Sequence, residues 1–184
     1  MLERLLAERR DVVLEQWLDL ILGTYPADSF RFLKKQKDPF HNPVGQTLRQ
    51  ETAVLYDALR SGGVPEEVET ALDGIARIRA VQDGSATQAV AFVFLLKNVV
   101  REHCAEHLGD DGVRRELFDF ESRVDGLALS LFDHYMKFRE KIYAIRVRET
   151  QKRSFHLTEK SAEIRRGSDG KVSLAEPQAS PPEA

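Results

Sequence analysis

The stretch "GSATQAVAFVFLLKNVVRE", residues 84–102, decides the fold class because it contains the most apolar block of the chain. A helix that spans a membrane needs about 20 mostly apolar residues. Here the block from 89 to 96 is bounded by the polar side chains of Gln88 and Lys97. Its alanines and leucines favour a helix, and Ser85 is a typical helix start. We therefore predict that residues 85–108 form the central helix of a water-soluble, all-helical domain.

Helical spacing of apolar residues continues on both sides of this stretch, and no strand pattern occurs. The prolines at 26, 39 and 43 forbid one continuous helix across residues 24–45, and Asn42 and Pro43 are typical of a helix start. We predict further helices at residues 2–22, 44–60, 65–82 and 113–155. The predicted organisation is a domain at 1–150, a charged helical extension at 151–166 and a disordered tail at 167–184, where Gly, Ser, Pro and Ala dominate.

Composition narrows the class of function. Charged residues make up 31% of the 184 residues, and the formal net charge of -3 argues against a nucleic-acid-binding surface. The single cysteine, Cys104, excludes an internal disulfide, and the N-terminal sequence lacks the features of a signal peptide. We therefore expect a cytoplasmic protein that does not span a membrane.

The densest cluster of reactive side chains lies in "REHCAEHLG", residues 101–109. His103 and His107 share a helix face and could chelate a metal, but Cys104 stands where a zinc-protease helix has its glutamate. Surface histidines near a helix end are the favoured interpretation. Because no nucleophile or phosphate-binding motif occurs either, we predict no metal, no catalytic residue and no enzyme.

A second group of polar residues lies around "IARIRAVQD", residues 75–83. One interpretation makes Arg77 and Arg79 solvated residues on either side of an apolar stripe, and this is the favoured one. The other makes them an anion or partner site, formed with Gln82 and with Lys97 of the next helix.

Three segments together resemble the RsbRD N-terminal domain family. They are "NPVG" at 42–45, "IRAVQ" at 78–82 and residues 85–97, and the likeness extends over roughly 1–150. The resemblance implies a sensor domain of a stressosome co-antagonist, with a non-haem globin-like fold that is usually dimeric. In that family the long last helix leads to a STAS output domain, whereas only about thirty residues follow it here. We therefore expect the signal to leave through a separate signalling or respiratory protein.

The globin comparison also gives an expectation about haem. A haem globin needs a proximal histidine on the helix that here corresponds to residues 66–82, and no histidine occurs there or at 44–60. We predict that the chain binds no haem and no other cofactor.

Two functions remain open. The favoured one is a non-enzymatic sensory or scaffold domain that forms a homodimer and contacts a partner protein. The alternative is a receptor for an apolar small molecule, bound where globins hold haem, although core packing is the simpler interpretation of its lining residues. The predicted dimer seam is Leu131, Tyr135, Phe138, Ile142 and Ile145, and the predicted pocket residues are Phe92, Phe94 and Leu95.

Overall fold

The computed structural model is an all-α helical bundle, as the sequence predicts. It describes residues 1–36, 38–62, 65–82 and 84–169, without the side chains of 156–158 and 161–169. No strand occurs in these ranges. The helices are α1 (Leu2–Glu8), α2 (Arg10–Leu22), α3 (Ala27–Lys35), α4 (Pro43–Ser61), α5 (Pro65–Ala80), α6 (Ala86–Val90), α7 (Phe92–Cys104) and α8 (Asp111–Asp169), with a 3-10 helix at Ala105–His107 between α7 and α8.

Two predicted helix starts are confirmed by their capping hydrogen bonds. The Asn42 side chain accepts a hydrogen bond from the Gly45 amide, and Pro43 occupies the first position of α4. Ser85 and Gln88 form the expected capping box at the start of α6, in which each side chain bonds the other residue's backbone amide.

The predicted single helices at 2–22 and 85–108 are each divided. The first breaks at Arg9, whose Nη1 donates a hydrogen bond to the His103 carbonyl at 3.0 Å. The second breaks at Ala91, between α6 and α7, and ends with the 3-10 helix. The stretch predicted as irregular contains α3. Helical spacing alone reveals neither the distant partner of Arg9 nor the short helices α3 and α6.

Side chains of α2, α4, α5, α7 and the first part of α8 form the core. Trp17 of α2 is fully buried, and its indole nitrogen donates a hydrogen bond to the Phe92 carbonyl at 3.1 Å. Leu55 of α4, Ile75 of α5 and Phe120 of α8 have no exposed surface either. The apolar block that began the sequence analysis therefore supplies α7, which packs against α2 within this core.

The chain divides into two units, Met1–Glu140 and Lys141–Ala184. The first contains α1 to α7 and α8 as far as Glu140. In the second, α8 continues to Asp169, and its described side chains are exposed apart from the partly buried Ile142. Most of the predicted tail, from residue 170 onward, lies outside the described residues. Of the described helices, none has a stretch long and apolar enough to cross a membrane.

Candidate functional site

A cleft of about 1330 Å³ opens on one side of the first unit. The described residues that line it come from the segment that joins α2 to α3, from helix α3, from the N-terminus of α4, and from the region where α5 ends and α6 and α7 begin. Its floor is largely apolar and includes Phe92 and Leu95 of α7. The cleft therefore combines segments that are far apart in the sequence.

The buried side chain of Asn42 holds one wall of the cleft in place. Its Nδ2 donates hydrogen bonds to the carbonyls of Leu33, at 3.0 Å, and Gln36, at 2.8 Å, while its Oδ1 accepts from the Gly45 amide at 2.8 Å. A Cβ atom at Gly45 would collide with this side chain, so a glycine is needed there. Asn42 thus closes the loop between α3 and α4 in addition to capping α4.

Arg79, in the last turn of α5, is a charged residue of the lining. Its side chain is only 6% exposed, and both Nη atoms donate to the Thr24 hydroxyl at 3.1 Å. The guanidinium carbon lies 4.7 Å from the ring centroid of Tyr25 and 4.8 Å from that of Phe92. Two aromatic rings therefore contact one buried cation, an arrangement that suits the weakly hydrated guanidinium.

Gln82 completes this group of residues. Its Nε2 donates to the Tyr25 hydroxyl at 2.9 Å, and its Oε1 lies 3.5 Å from Arg79 Nη1, the distance of a weak hydrogen bond. The end of α5 is thereby joined to the segment between α2 and α3 on one side of the cleft.

The guanidinium of Arg79 is incompletely paired. Its Nε is buried and has no hydrogen-bond partner. Among the described residues, no carboxylate oxygen lies within 4.0 Å of its nitrogens. Burial lowers the pKa of Arg79 from its ordinary value, because desolvation disfavours the charged form. An arginine keeps its proton in proteins, so the cleft contains a permanent, buried positive charge.

Comparison with known proteins identifies the family. Residues 11–150 match the family model described as the RsbT co-antagonist protein rsbRD N-terminal domain. The chain belongs to this family. The RsbRD N-terminal domain is a stressosome-type sensory domain, and the matched range includes every residue that lines the cleft. No curated protein and no solved structure is significantly similar to the chain.

Two of the four residues predicted for an anion or partner site come together in this RsbRD N-terminal domain. Arg79 and Gln82 line the cleft, whereas Arg77 and Lys97 do not. Arg77 is exposed, pairs with Asp73 at 3.2 Å and lies over the Phe138 ring. Lys97 pairs with Asp125 at 2.5 Å and therefore links α7 to α8 instead.

The predicted pocket residues are similarly divided. Phe92 and Leu95 line the cleft. Phe94 does not; its side chain is 42% exposed and lies beneath the Lys97 ammonium group. Thr24 and Tyr25, which bind Arg79, were not anticipated, because they lie in the stretch predicted to be irregular. The available signal was an aromatic residue, Tyr25, directly before Pro26.

The residues predicted for a dimer seam occupy different environments. Leu131 and Tyr135 are buried in the core of the first unit, and Phe138 is partly buried. In the second unit Ile142 is partly buried and Ile145 is 55% exposed. Only Ile145 of the five is therefore a well exposed side chain.

His103 and Cys104, from the stretch at 101–109, lie in different environments. His103 Nε2 pairs with Gln16 Oε1 at 2.8 Å, and Cys104 is fully buried in the core. Burial raises the pKa of the Cys104 thiol, and the nearby Arg9 guanidinium offsets part of that effect. Within the described part of the chain, no three His, Cys, Asp or Glu side chains are grouped as metal ligands would be.

Proposed function

We propose that this RsbRD N-terminal domain is a non-enzymatic, cytoplasmic sensory domain that works as a homodimer and contacts a partner protein. Membership of a sensory family is the observation that carries the proposal. The exposed outer face of α8 supports the homodimer, and the exposed apolar residues of the second unit support the partner contact.

The outer face of α8 in the first unit is unusually apolar. Leu129 is 71% exposed, Phe132 40% and Met136 37%. Their spacings of three and four residues place them on one side of the helix, away from the buried Leu131 and Tyr135. Contiguous exposed apolar residues of this kind mark interaction sites. We therefore assign the dimer seam to Leu129, Phe132 and Met136 instead of the residues predicted from the sequence.

Light scattering of the purified chain tests this assignment. The wild type should have twice the mass of one chain at micromolar concentration, and Leu129→Glu with Phe132→Glu should have the mass of a monomer. Both positions are exposed, so circular dichroism should show a folded chain in either case. Lys137→Glu is the matched control, because it adds negative charge about a quarter-turn away on the same helix. A monomeric wild type would refute the homodimer.

Partner contact is assigned to the second unit. Tyr143 is 70% exposed and Ile145 55% exposed, in a segment otherwise rich in charge. Crosslinking in the native host should link the wild type to one dominant protein. The double variant, Tyr143→Ser with Ile145→Ser, should no longer be crosslinked to that protein. If the crosslinked proteins of wild type and variant were identical, the second unit would not be the contact surface.

A second candidate function is that of a small-molecule receptor, and the cleft is the observation that favours it. The last turn of α5 contacts both the cleft and α8. Arg79 lines the cleft, while the Ala80 carbonyl accepts a hydrogen bond from Arg139 of α8 at 3.1 Å and Arg77 lies 5.3 Å from the Phe138 ring centroid. A ligand that moved this turn would therefore act directly on α8. Such a ligand would also raise the unfolding temperature, since it binds only the folded state.

A further inference from the structure

We propose that the cleft binds an organic monocarboxylate, whose carboxylate pairs with Arg79 and whose apolar body lies against the aromatic and aliphatic side chains around it. This inference rests on the receptor function proposed above and names the class of ligand. Its basis is a buried cation that the described residues leave without an acid partner.

The state of Arg79 is the first argument. Transfer of a charged group out of water costs several kcal/mol unless the group is paired and fully hydrogen-bonded. The Arg79 guanidinium donates hydrogen bonds to one hydroxyl and, at a longer distance, to one amide oxygen, and it contacts two aromatic rings. Its Nε has no hydrogen-bond partner. An anion within the cleft would supply the missing negative charge, and guanidinium groups bind carboxylates in well defined geometry.

The surroundings of Arg79 indicate a ligand with an apolar body. Phe32 of α3, Val44 of α4, and Phe92 and Leu95 of α7 all line the same cleft. An inorganic anion would contact Arg79 but would leave this apolar surface exposed to water. A carboxylate with an aliphatic or aromatic body would cover it, and burial of apolar surface favours binding.

The charges along the lining indicate a single negative charge on the ligand. Arg79 is the only basic residue and Asp28 the only acidic one among the described residues that line the cleft. Asp28 is exposed and would repel a second negative charge, whereas the N-terminus of the long helix α4 at another wall favours an anion weakly. One buried cation therefore suits a monocarboxylate better than a phosphate ester or a dicarboxylate.

Three compounds with one phenylpropyl body and different head groups test the proposal on the full chain. They are 3-phenylpropanoate, its neutral amide 3-phenylpropanamide and the cation 3-phenylpropylammonium, each added at millimolar concentration while the unfolding temperature and the heat of binding are measured. The carboxylate should stabilise the protein and bind at least about tenfold more tightly than the amide, because a charge-assisted hydrogen bond is lost. The ammonium compound should not bind.

Substitutions locate the head group and the body. Arg79→Gln should weaken binding of the carboxylate about tenfold and bring it close to that of the amide. Arg77→Gln is the matched control, since this exposed arginine lies two residues away and outside the cleft. The affinity of this variant for the carboxylate should equal that of the wild type. Phe32→Ala should weaken the carboxylate and the amide equally. Because Phe32 is 52% exposed, this variant is expected to fold even if Arg79→Gln does not.

The outcomes separate the two proposals. Equal binding of carboxylate and amide, or full carboxylate affinity in Arg79→Gln, would overturn the assignment of the ligand class and leave the receptor function standing. Absence of binding by all three compounds would overturn both. If Arg79→Gln is unfolded, two other results test the ligand class. These are tighter binding of the carboxylate than of the amide by the wild type, and weaker binding of both compounds by Phe32→Ala.

Discussion

At the residue level, one hydrogen bond links α2 to the central apolar stretch. The indole nitrogen of the buried Trp17 donates to the carbonyl of Phe92, next to the break between α6 and α7. Trp17→Phe removes this donor and part of the buried volume. We expect the free energy of unfolding in urea, followed by circular dichroism, to fall by about 1–3 kcal/mol. Phe118→Leu, at a position 70% exposed, is the control and should change it by less than about 0.5 kcal/mol.

Cys104 gives a prediction about pH. Its pKa is raised in the folded chain by burial, so the folded state holds the thiol proton at a pH where the unfolded state releases it. The stabilising contribution is complete below the unfolded pKa of about 8.5 and is lost as pH rises through the folded pKa. Wild-type stability should therefore fall relative to that of Cys104→Ala between about pH 7.5 and pH 9.5. A constant difference in urea unfolding would contradict the burial of an un-ionised thiol.

The same burial predicts low chemical reactivity. Alkylation of Cys104 by iodoacetamide should be slow in the native protein and fast in urea, because only the exposed thiolate reacts. Mass spectrometry of the modified fraction over time measures this directly. Rapid alkylation without denaturant would place the thiol at the surface.

At the level of elements, a histidine joins helices α5 and α8. This role was not predicted from the sequence. His134 of α8 is 8% exposed; its Nε2 lies 2.9 Å from Glu69 Oε2 and its Nδ1 3.2 Å from Asp73 Oδ1. Both ring nitrogens therefore lie within hydrogen-bond distance of side chains of α5. His134→Ala should lower the free energy of unfolding by about 1–3 kcal/mol.

Glu69→Ala is the matched variant for this bridge. Its side chain is 65% exposed, so its contact with His134 is accessible to water, and the loss of stability should be at most about 1 kcal/mol. Urea unfolding of both variants measures the difference. A larger effect of Glu69→Ala than of His134→Ala would show that the buried ring does not carry the contact.

Element boundaries also show what sequence patterns capture. The starts of α4 and α6 were predictable because the caps at Asn42 and Ser85 are local interactions. The breaks at Arg9 and Ala91 were not, since both lie among good helix formers. At Arg9 the side chain reaches the carbonyl of His103, and beside Ala91 the indole of Trp17 reaches Phe92. Contacts between residues so distant in sequence leave no periodic signal.

The all-α fold and the family were predictable at the level of the whole molecule, because helical spacing and the segments at 42–45, 78–82 and 85–97 are sequence features. The cleft was predictable only in part. Arg79 and Phe92 were recognised as candidates, but in separate sites, whereas in the structure the Arg79 guanidinium contacts the rings of both Phe92 and Tyr25. That contact depends on how α2, α5 and α7 pack, and no pattern within one helix determines it.

The proposed receptor function requires that a ligand in the cleft changes α8 as well. Hydrogen–deuterium exchange of the full chain, with and without saturating 3-phenylpropanoate, tests this most directly. We predict slower exchange in peptides at residues 76–82, which include Arg79 and Gln82 of the cleft lining. We also predict a change in peptides at 128–140, where Arg139 and Phe138 contact the last turn of α5. Unchanged exchange at 128–140, whether or not the cleft is protected, would contradict the proposal that a ligand in this cleft is sensed through α8.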